Sequence, residues 1–195
     1  MLSCGKKHPL PEISSTLITE KVPHDSDDPA IWVNRENPDE SIVFGTDKDE
    51  IDGGIYAFDL DGKIITRLSV IGLGYPNNVD VTYDFMRSDS NLTDLLVFSE
   101  RVKQRIRIFA LPEMIPVDKG GIPVFADESS VGFRRPMGVS FYANPNNGKH
   151  YVFVSRKMGP DSGYIYQYEL RSDGIDVVAT LVRKFGKFSG LKEIE

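Results

Sequence analysis

Three carboxylates stand within four positions at Asp25, Asp27 and Asp28, directly before the apolar run Ala30-Ile31-Trp32-Val33. That is more like charge than a turn or a cap requires. Two readings fit it. One is a solvated acidic turn closed by Pro29; the other is a hard-cation site, since Ca²⁺ takes carboxylate and carbonyl oxygens offered by loops. A second oxygen-rich stretch, Asn77-Asn78-Val79-Asp80, has the composition of a further Ca²⁺ loop with Asp80 as its carboxylate, and equally that of an Asx-type turn. Positive charge is placed differently. Lys48, Arg101 and Lys157 each close a short polar cluster after an apolar run, about 50 to 55 residues apart. Any one of them alone reads as an ordinary solvated cation, but their shared position suggests a common task, such as contact with phosphate.

Other chemistries find little support. Ser140 lies in no G-x-S-x-G elbow and has no evident His and Asp partners. His8, His24 and His150 are scattered without zinc-binding spacing. The single cysteine, Cys4, excludes an intramolecular disulfide and a cysteine-based zinc cluster. With 23 basic against 29 acidic residues the net charge is −6, which argues against binding nucleic acid through bulk charge. No stretch approaches the roughly 20 apolar residues of a membrane span.

The elements that must position these residues read as β throughout. Candidate strands are 30–33, 42–46, 55–60, 63–68, 95–99, 105–110, 151–155, 163–170 and 176–182, with Asp61-Gly62 suggesting a type I′ hairpin between the third and fourth. No window carries a capped helical stripe, so helix is expected to be minor. Trp32 sits in an apolar strand and reads as core. One unit recurs: a strand, a polar cluster ending in a cation, then a strand of the form (Ile/Val)-x-(Ile/Phe/Tyr). It appears at Phe44 to Phe58, Phe98 to Phe109 and Val154 to Tyr168. That period suits a propeller blade of four short strands, and a radial array would bring Lys48, Arg101 and Lys157 to one mouth.

Together these stretches resemble the β-propeller phytases, the calcium-dependent alkaline phytase family. The resemblance is carried by Asp27-Asp28-Pro29-Ala30-Ile31-Trp32-Val33, by Gly45-Thr46-Asp47-Lys48 leading to Gly54-Ile55-Tyr56-Ala57-Phe58-Asp59-Leu60-Asp61-Gly62-Lys63, by Asn77-Asn78-Val79-Asp80-Val81 with Tyr83-Asp84-Phe85, and by Tyr166-Gln167-Tyr168-Glu169-Leu170. It implies an all-β, six-bladed propeller that hydrolyses phytate (myo-inositol hexakisphosphate) with Ca²⁺ at one end. About three blades are expected here, as an N-terminal part of the domain over 23–195. Residues 1–22 are expected to be a tether whose Ser3-Cys4-Gly5 resembles a bacterial lipoprotein start. Cys4 would then carry a lipid anchor and the protein would lie outside the cytoplasm, secreted or at the cell envelope.

The resemblance also implies roles. Asp28, then Asp27, would bind Ca²⁺, with Asn78 and Asp80 forming a second part of the site. Glu195 falls where the family has a catalytic acidic ligand, with Glu193 as the alternative. Lys48, Arg101 and Lys157 match positions that contact substrate phosphates, each expected in an exposed loop. The electrostatics are consistent, because a net-acidic protein can hold a polyanion only if cations reverse the local field. Two departures bear on substrate preference. Asp49 replaces a lysine that often follows the Lys48 position, and Met137 replaces a tyrosine, with Arg134 and Arg135 nearby as possible compensation. The alternatives are another Ca²⁺-dependent propeller hydrolase, such as a lactonase, and a non-catalytic surface propeller.

Overall fold

A computed structural model describes residues 14–88 and 91–187. Among the described residues thirteen strands lie in three antiparallel sheets, with no α-helix and only one-turn 3₁₀ segments at Pro38–Glu40, Thr66–Leu68 and Val131–Arg134. The first sheet is β1 (Ser26–Trp32), β2 (Ile42–Asp47), β3 (Gly53–Phe58) and β4 (Val70–Leu73), paired in that order. The second is β5 (Pro76–Ser88), β6 (Asn91–Glu100) and β7 (Arg105–Leu111), edged by two short pieces, β8 (Ile115–Pro116) and β9 (Ile122–Pro123). Both pieces pair β7, at Ala110↔Ile115 and Ile106↔Ile122, so they share the place of a fourth strand. The third sheet is β10 (Pro136–Ala143), β11 (His150–Arg156), β12 (Ser162–Ser172) and β13 (Val177–Lys187). The innermost strand of the second sheet, β5, packs against both β1 and β10. These are three blades of a propeller, and they do not close into a ring.

Strand alternation explains why the blades stack. Successive side chains point to opposite faces, and β6 divides its residues between the two neighbours. Leu95 and Val97 enter the core shared with the third blade, beside Val139, Val152, Val154 and Tyr168. Leu96 and Phe98 enter the core shared with the first blade, beside Trp32, Phe44, Ile55 and Leu73. Strand β7 divides in the same way, Ile106 and Ile108 against Phe109 and Leu111. A sheet covered on both faces reads as a continuous apolar run, which is how Leu95-Leu96-Val97-Phe98 appears in sequence. Trp32 is core, as expected, and its indole N–H donates to Asp94 Oδ2 of the second blade at 2.8 Å.

The sequence expectations need correction at several places. Residues 63–68 do not form a strand: only Ile64 makes a bridge, to Phe58, before the chain coils at Thr66–Leu68 and pairs from Val70. The turn before them is longer than a two-residue hairpin. The Asp59 carboxylate accepts the amides of Asp61 and Lys63, and Gly62 takes the left-handed conformation at φ +77°. Asp27 and Asp28 lie inside β1, not ahead of it, and Asn77–Asp80 begin the long strand β5 and are not a free loop.

Candidate functional site

The first three positions of each inner strand share one irregularity. Ser26 pairs Asp47 and Pro29 pairs Gly45, so three steps on β1 match two on β2. Pro76↔Glu100 with Val79↔Phe98, and Pro136↔Arg156 with Val139↔Val154, repeat the offset. Each is a bulge with one extra residue, which takes an amide off the ladder and bends the strand. In every blade a buried hydroxyl recovers that amide. Asp28 N donates to Thr46 Oγ1 (2.9 Å), Asn78 N to Ser99 Oγ (3.2 Å) and Gly138 N to Ser155 Oγ (2.8 Å). Two residues beyond each hydroxyl, just past the end of the second strand, stand Lys48, Arg101 and Lys157. The repeat therefore sets a bulge and a cation side by side at one end of all three blades.

At the first two bulges the acidic and amide residues meet. Asp28 Oδ2 accepts Val79 N from the next blade at 2.9 Å, and Asp80 Oδ2 accepts Phe141 N (2.7 Å) and Ser140 Oγ–H (3.0 Å) from the third blade. Burial pushes the Asp28 carboxyl above its ordinary range. Hydrogen bonds from Val79 N and the Asn78 side chain oppose the rise, while the charges of Asp27 and Asp80 add to it. A groove of about 460 Å³ borders Asp27 and Asp28 and is also lined by Ile18, Val43 and Phe58.

The cations are less free than their types suggest. Lys48 Nζ pairs with Asp27 Oδ1 at 3.0 Å and Asp25 Oδ2 at 3.2 Å. Burial works against its charge, but the two carboxylates prevail and hold its pKa above the ordinary lysine value. A residue expected to bind phosphate and one expected to bind metal are thus partners. Arg101 does not lie in an exposed loop: it is 8% exposed, its guanidinium 4.3 Å over the Tyr75 ring, bonded to Asn77 Oδ1 and set against Met137 Sδ. Long-range contacts bury it, since Asn77 and Met137 reach it from other strands and Tyr75 from the link between β4 and β5. Lys157 is half-buried, and its amide donates to Arg135 O. Arg134 Nε is engaged by Glu128 O at 2.7 Å. Asp49 caps its own turn by accepting the amides of Ile51 and Asp52. Glu193, Glu195, Cys4 and His8 lie outside the described residues.

Sequence reasoning did not single out Tyr75, Asn77 or the three hydroxyls. Asn77 is buried, accepts from Arg101 and donates to Asn78 Oδ1 at 2.7 Å. The hydroxyls had a visible signal: Thr46-Asp47-Lys48, Ser99-Glu100-Arg101 and Ser155-Arg156-Lys157 repeat hydroxyl, charge, cation. The middle residue of each triplet is a buried charge that grips the chain entering its own blade. Asp47 accepts His24 N (3.0 Å) and pairs with its Nδ1 (2.8 Å), Glu100 accepts Gly74 N (3.0 Å), and Arg156 donates to Glu128 (2.8 Å).

The His24 contact predicts a pH dependence. The hydrogen bond to Asp47 raises the His24 pKa above 6.5 against the opposing effect of burial. A raised histidine pKa contributes stability that is complete below the unfolded value of 6.5 and is lost as pH rises through the folded value. His24→Gln should therefore reduce the unfolding midpoint more at pH 5.5 than at pH 8.5. Equal losses at both values would contradict a charged pair.

All the oxygen donors gathered here are hard, and carboxylate with amide oxygen suits a hard cation. Among the described residues, however, no group of three His, Cys, Asp or Glu side chains is gathered closely enough to hold a metal alone. The described residues of these blades offer carboxylate and amide oxygens without gathering them into a cage.

Three propeller blades, each with a bulged inner strand and a cation beside it at one end, define the class of protein. Comparison with known proteins gives the particular family. The sequence matches the phytase family over residues 12–193, and the chain belongs to it. It is 32% identical over 166 residues to the 3-phytase of Bacillus subtilis (strain 168), an overlap covering 82% of this chain and 40% of that protein. The chain thus spans well under half the length of that relative.

Proposed function

We propose that the protein removes phosphate groups from phytate in a Ca²⁺-dependent reaction, with this chain supplying three blades of the site. The observation that carries the reading is the repeated bulge and cation at one end of three blades in a member of the phytase family. Asp27, Asp28, Asn78 and Asp80 are the residues of this chain that would hold Ca²⁺, joined by Glu195, which is also the proposed catalytic carboxylate. Bound there, the ion would neutralise phosphate charge and lower the pKa of a water. Lys48 and Lys157 offer point charges to substrate phosphates, and Arg101 a planar fork. Release of Lys48 from Asp27 would make both available, one to phosphate and one to the cation. Arg101 is held by Tyr75 and Asn77 before any substrate arrives, so little freedom is lost on binding. The 23–195 segment acts in this reading as the N-terminal part of a larger domain, with residues 1–22 as its tether. Cys4 would anchor it by lipid outside the cytoplasm.

The test is phosphate release from phytate by the full protein carrying this chain. Release is expected with Ca²⁺, near-complete loss after exhaustive chelation, and recovery when Ca²⁺ is restored. Undiminished release after chelation would refute the metal dependence, and no release under any of these conditions would refute the activity.

A further inference from the structure

The hydroxyls behind the bulges do more than cap their own blade. Thr46 is 1% exposed and Ser99 is fully buried. Thr46 Oγ1 accepts Asp28 N at 2.9 Å and donates across the blade boundary to Asn77 O at 3.1 Å, closer than the alternative acceptor Asp28 O at 3.4 Å. Ser99 Oγ repeats the arrangement one blade on: it accepts Asn78 N at 3.2 Å and donates to Met137 O at 2.7 Å. Each hydroxyl therefore joins the bulge of one inner strand to the bulge of the next. Both relays meet at Arg101, because the side chains of Asn77 and Met137 touch its guanidinium, alongside the Tyr75 ring.

We propose that Thr46 and Ser99 are positioning residues that fix the acidic bulge of the first blade, the amide bulge of the second and the guanidinium of Arg101 at set distances from one another. The inference rests on the cation and phosphate roles proposed above for those residues, but its mechanics concern the protein alone. A hydroxyl is suited to the task because it accepts and donates at once. Valine at the same place fills the same volume and strands an amide on one side and a carbonyl on the other. Both groups lie where water does not readily replace the lost partner. The blades would remain stacked through their apolar cores, while the bulges could shift relative to each other.

The experiment is residue-resolved amide hydrogen exchange on the full chain without metal, for Thr46→Val, Thr46→Ser and Ser99→Ala. Thr46→Val should speed exchange about tenfold at Asp28 and also at Asn78 and Val79 in the next blade, since an unmade buried hydrogen bond shifts a local opening equilibrium by about that factor. Ser99→Ala should do the same at Asn78 and at Gly138. Thr46→Ser keeps donor and acceptor and should exchange as wild type. The amide of Ile108, held by Asp118 away from the bulges, should be unaffected in all three and so separates this effect from general destabilisation. Acceleration confined to Asp28 in Thr46→Val, or shared equally by Ile108, would overturn the proposal. A second measurement uses Ca²⁺ alone: the concentration giving half the thermal stabilisation should rise about tenfold in Thr46→Val and not in Thr46→Ser. If the wild type shows no Ca²⁺ response, the metal reading fails, and the exchange result still decides whether the relay exists.

Discussion

Arg156→Leu is expected to cost about 3 kcal/mol of stability, the lower end of the range for removing one partner of a buried ion pair, since Glu128 keeps 19% of its side-chain exposure. Arg156 is fully buried, stacked at 4.3 Å over Phe125 and 5.0 Å over Tyr166. It donates to Glu128 Oε1 at 2.8 Å and to Gly163 O at 2.6 Å. Leucine restores part of the apolar volume but none of the donors, and Glu128 then keeps its charge with the Tyr166 O–H (3.1 Å) and its partial exposure to solvent to answer it. Nor can the site easily close on a smaller side chain. Gly159 stands so near that a Cβ there would lie 2.4 Å from Arg156 Cδ, so the pocket is shaped around the arginine stem. Arg156→Lys should recover little, because an ammonium has neither the planar face nor the fork. A loss of this size is a large part of the roughly 5–15 kcal/mol that holds a domain together. Urea unfolding gives the measurement. A midpoint within error of wild type for Arg156→Leu would show the pair to be dispensable. A double cycle with Glu128→Gln separates the pair from the packing: coupling near zero would assign the loss to the aromatic contacts.

The same residue shows what the sequence made legible and what it concealed. The blade period, the all-β character and the cation after each second strand were readable because they are local. A strand ending in hydroxyl, charge, cation leaves the same trace wherever the fold repeats it. The burial of the charge was not local. Arg156 lies inside because Phe125 and Glu128 arrive from a loop some thirty residues earlier and Tyr166 from the next strand. Arg101 reads as an exposed cation in the sequence for a similar reason. The inner strands β5 and β10 do not read as strands because they open with Pro, Asn and Gly, residues that ordinarily mark turns. Here those residues occupy bulges, and the hydroxyl of the neighbouring strand makes the irregular backbone affordable. The segment 63–68 failed in the opposite sense. Its alternation is real, but Leu68 turns into the core between the first two blades, and the Asp59 carboxylate holds the turn too wide for a hairpin.

Asp28→Asn should have opposite effects with and without Ca²⁺, and the crossing of the two is the sharpest test of the acidic bulge. Without metal, the Asp28 carboxyl is half-buried, and burial together with Asp27 and Asp80 pushes its pKa up. An acid whose folded pKa lies above its unfolded value loses stability as pH rises from the unfolded value through the folded one. The penalty grows as pH rises through that range, and asparagine removes it. The link to the second blade should survive, because an amide oxygen can accept Val79 N as the carboxylate does. The metal-free variant is therefore expected to melt at or above the wild-type temperature. With Ca²⁺ the order should reverse, since affinity for the ion follows the charge of its ligands. At a hundredfold excess over its dissociation constant, a ligand stabilises the folded state by about 2.7 kcal/mol, and a tenfold weaker site at the same concentration by about 1.4 kcal/mol. The measurement is a Ca²⁺ titration of melting temperature for both proteins. Curves that cross, wild type lower without metal and higher with it, are expected. Curves that coincide at every concentration would return Asp28 to the role of an acidic residue whose one task is to accept Val79 N, for which asparagine serves as well.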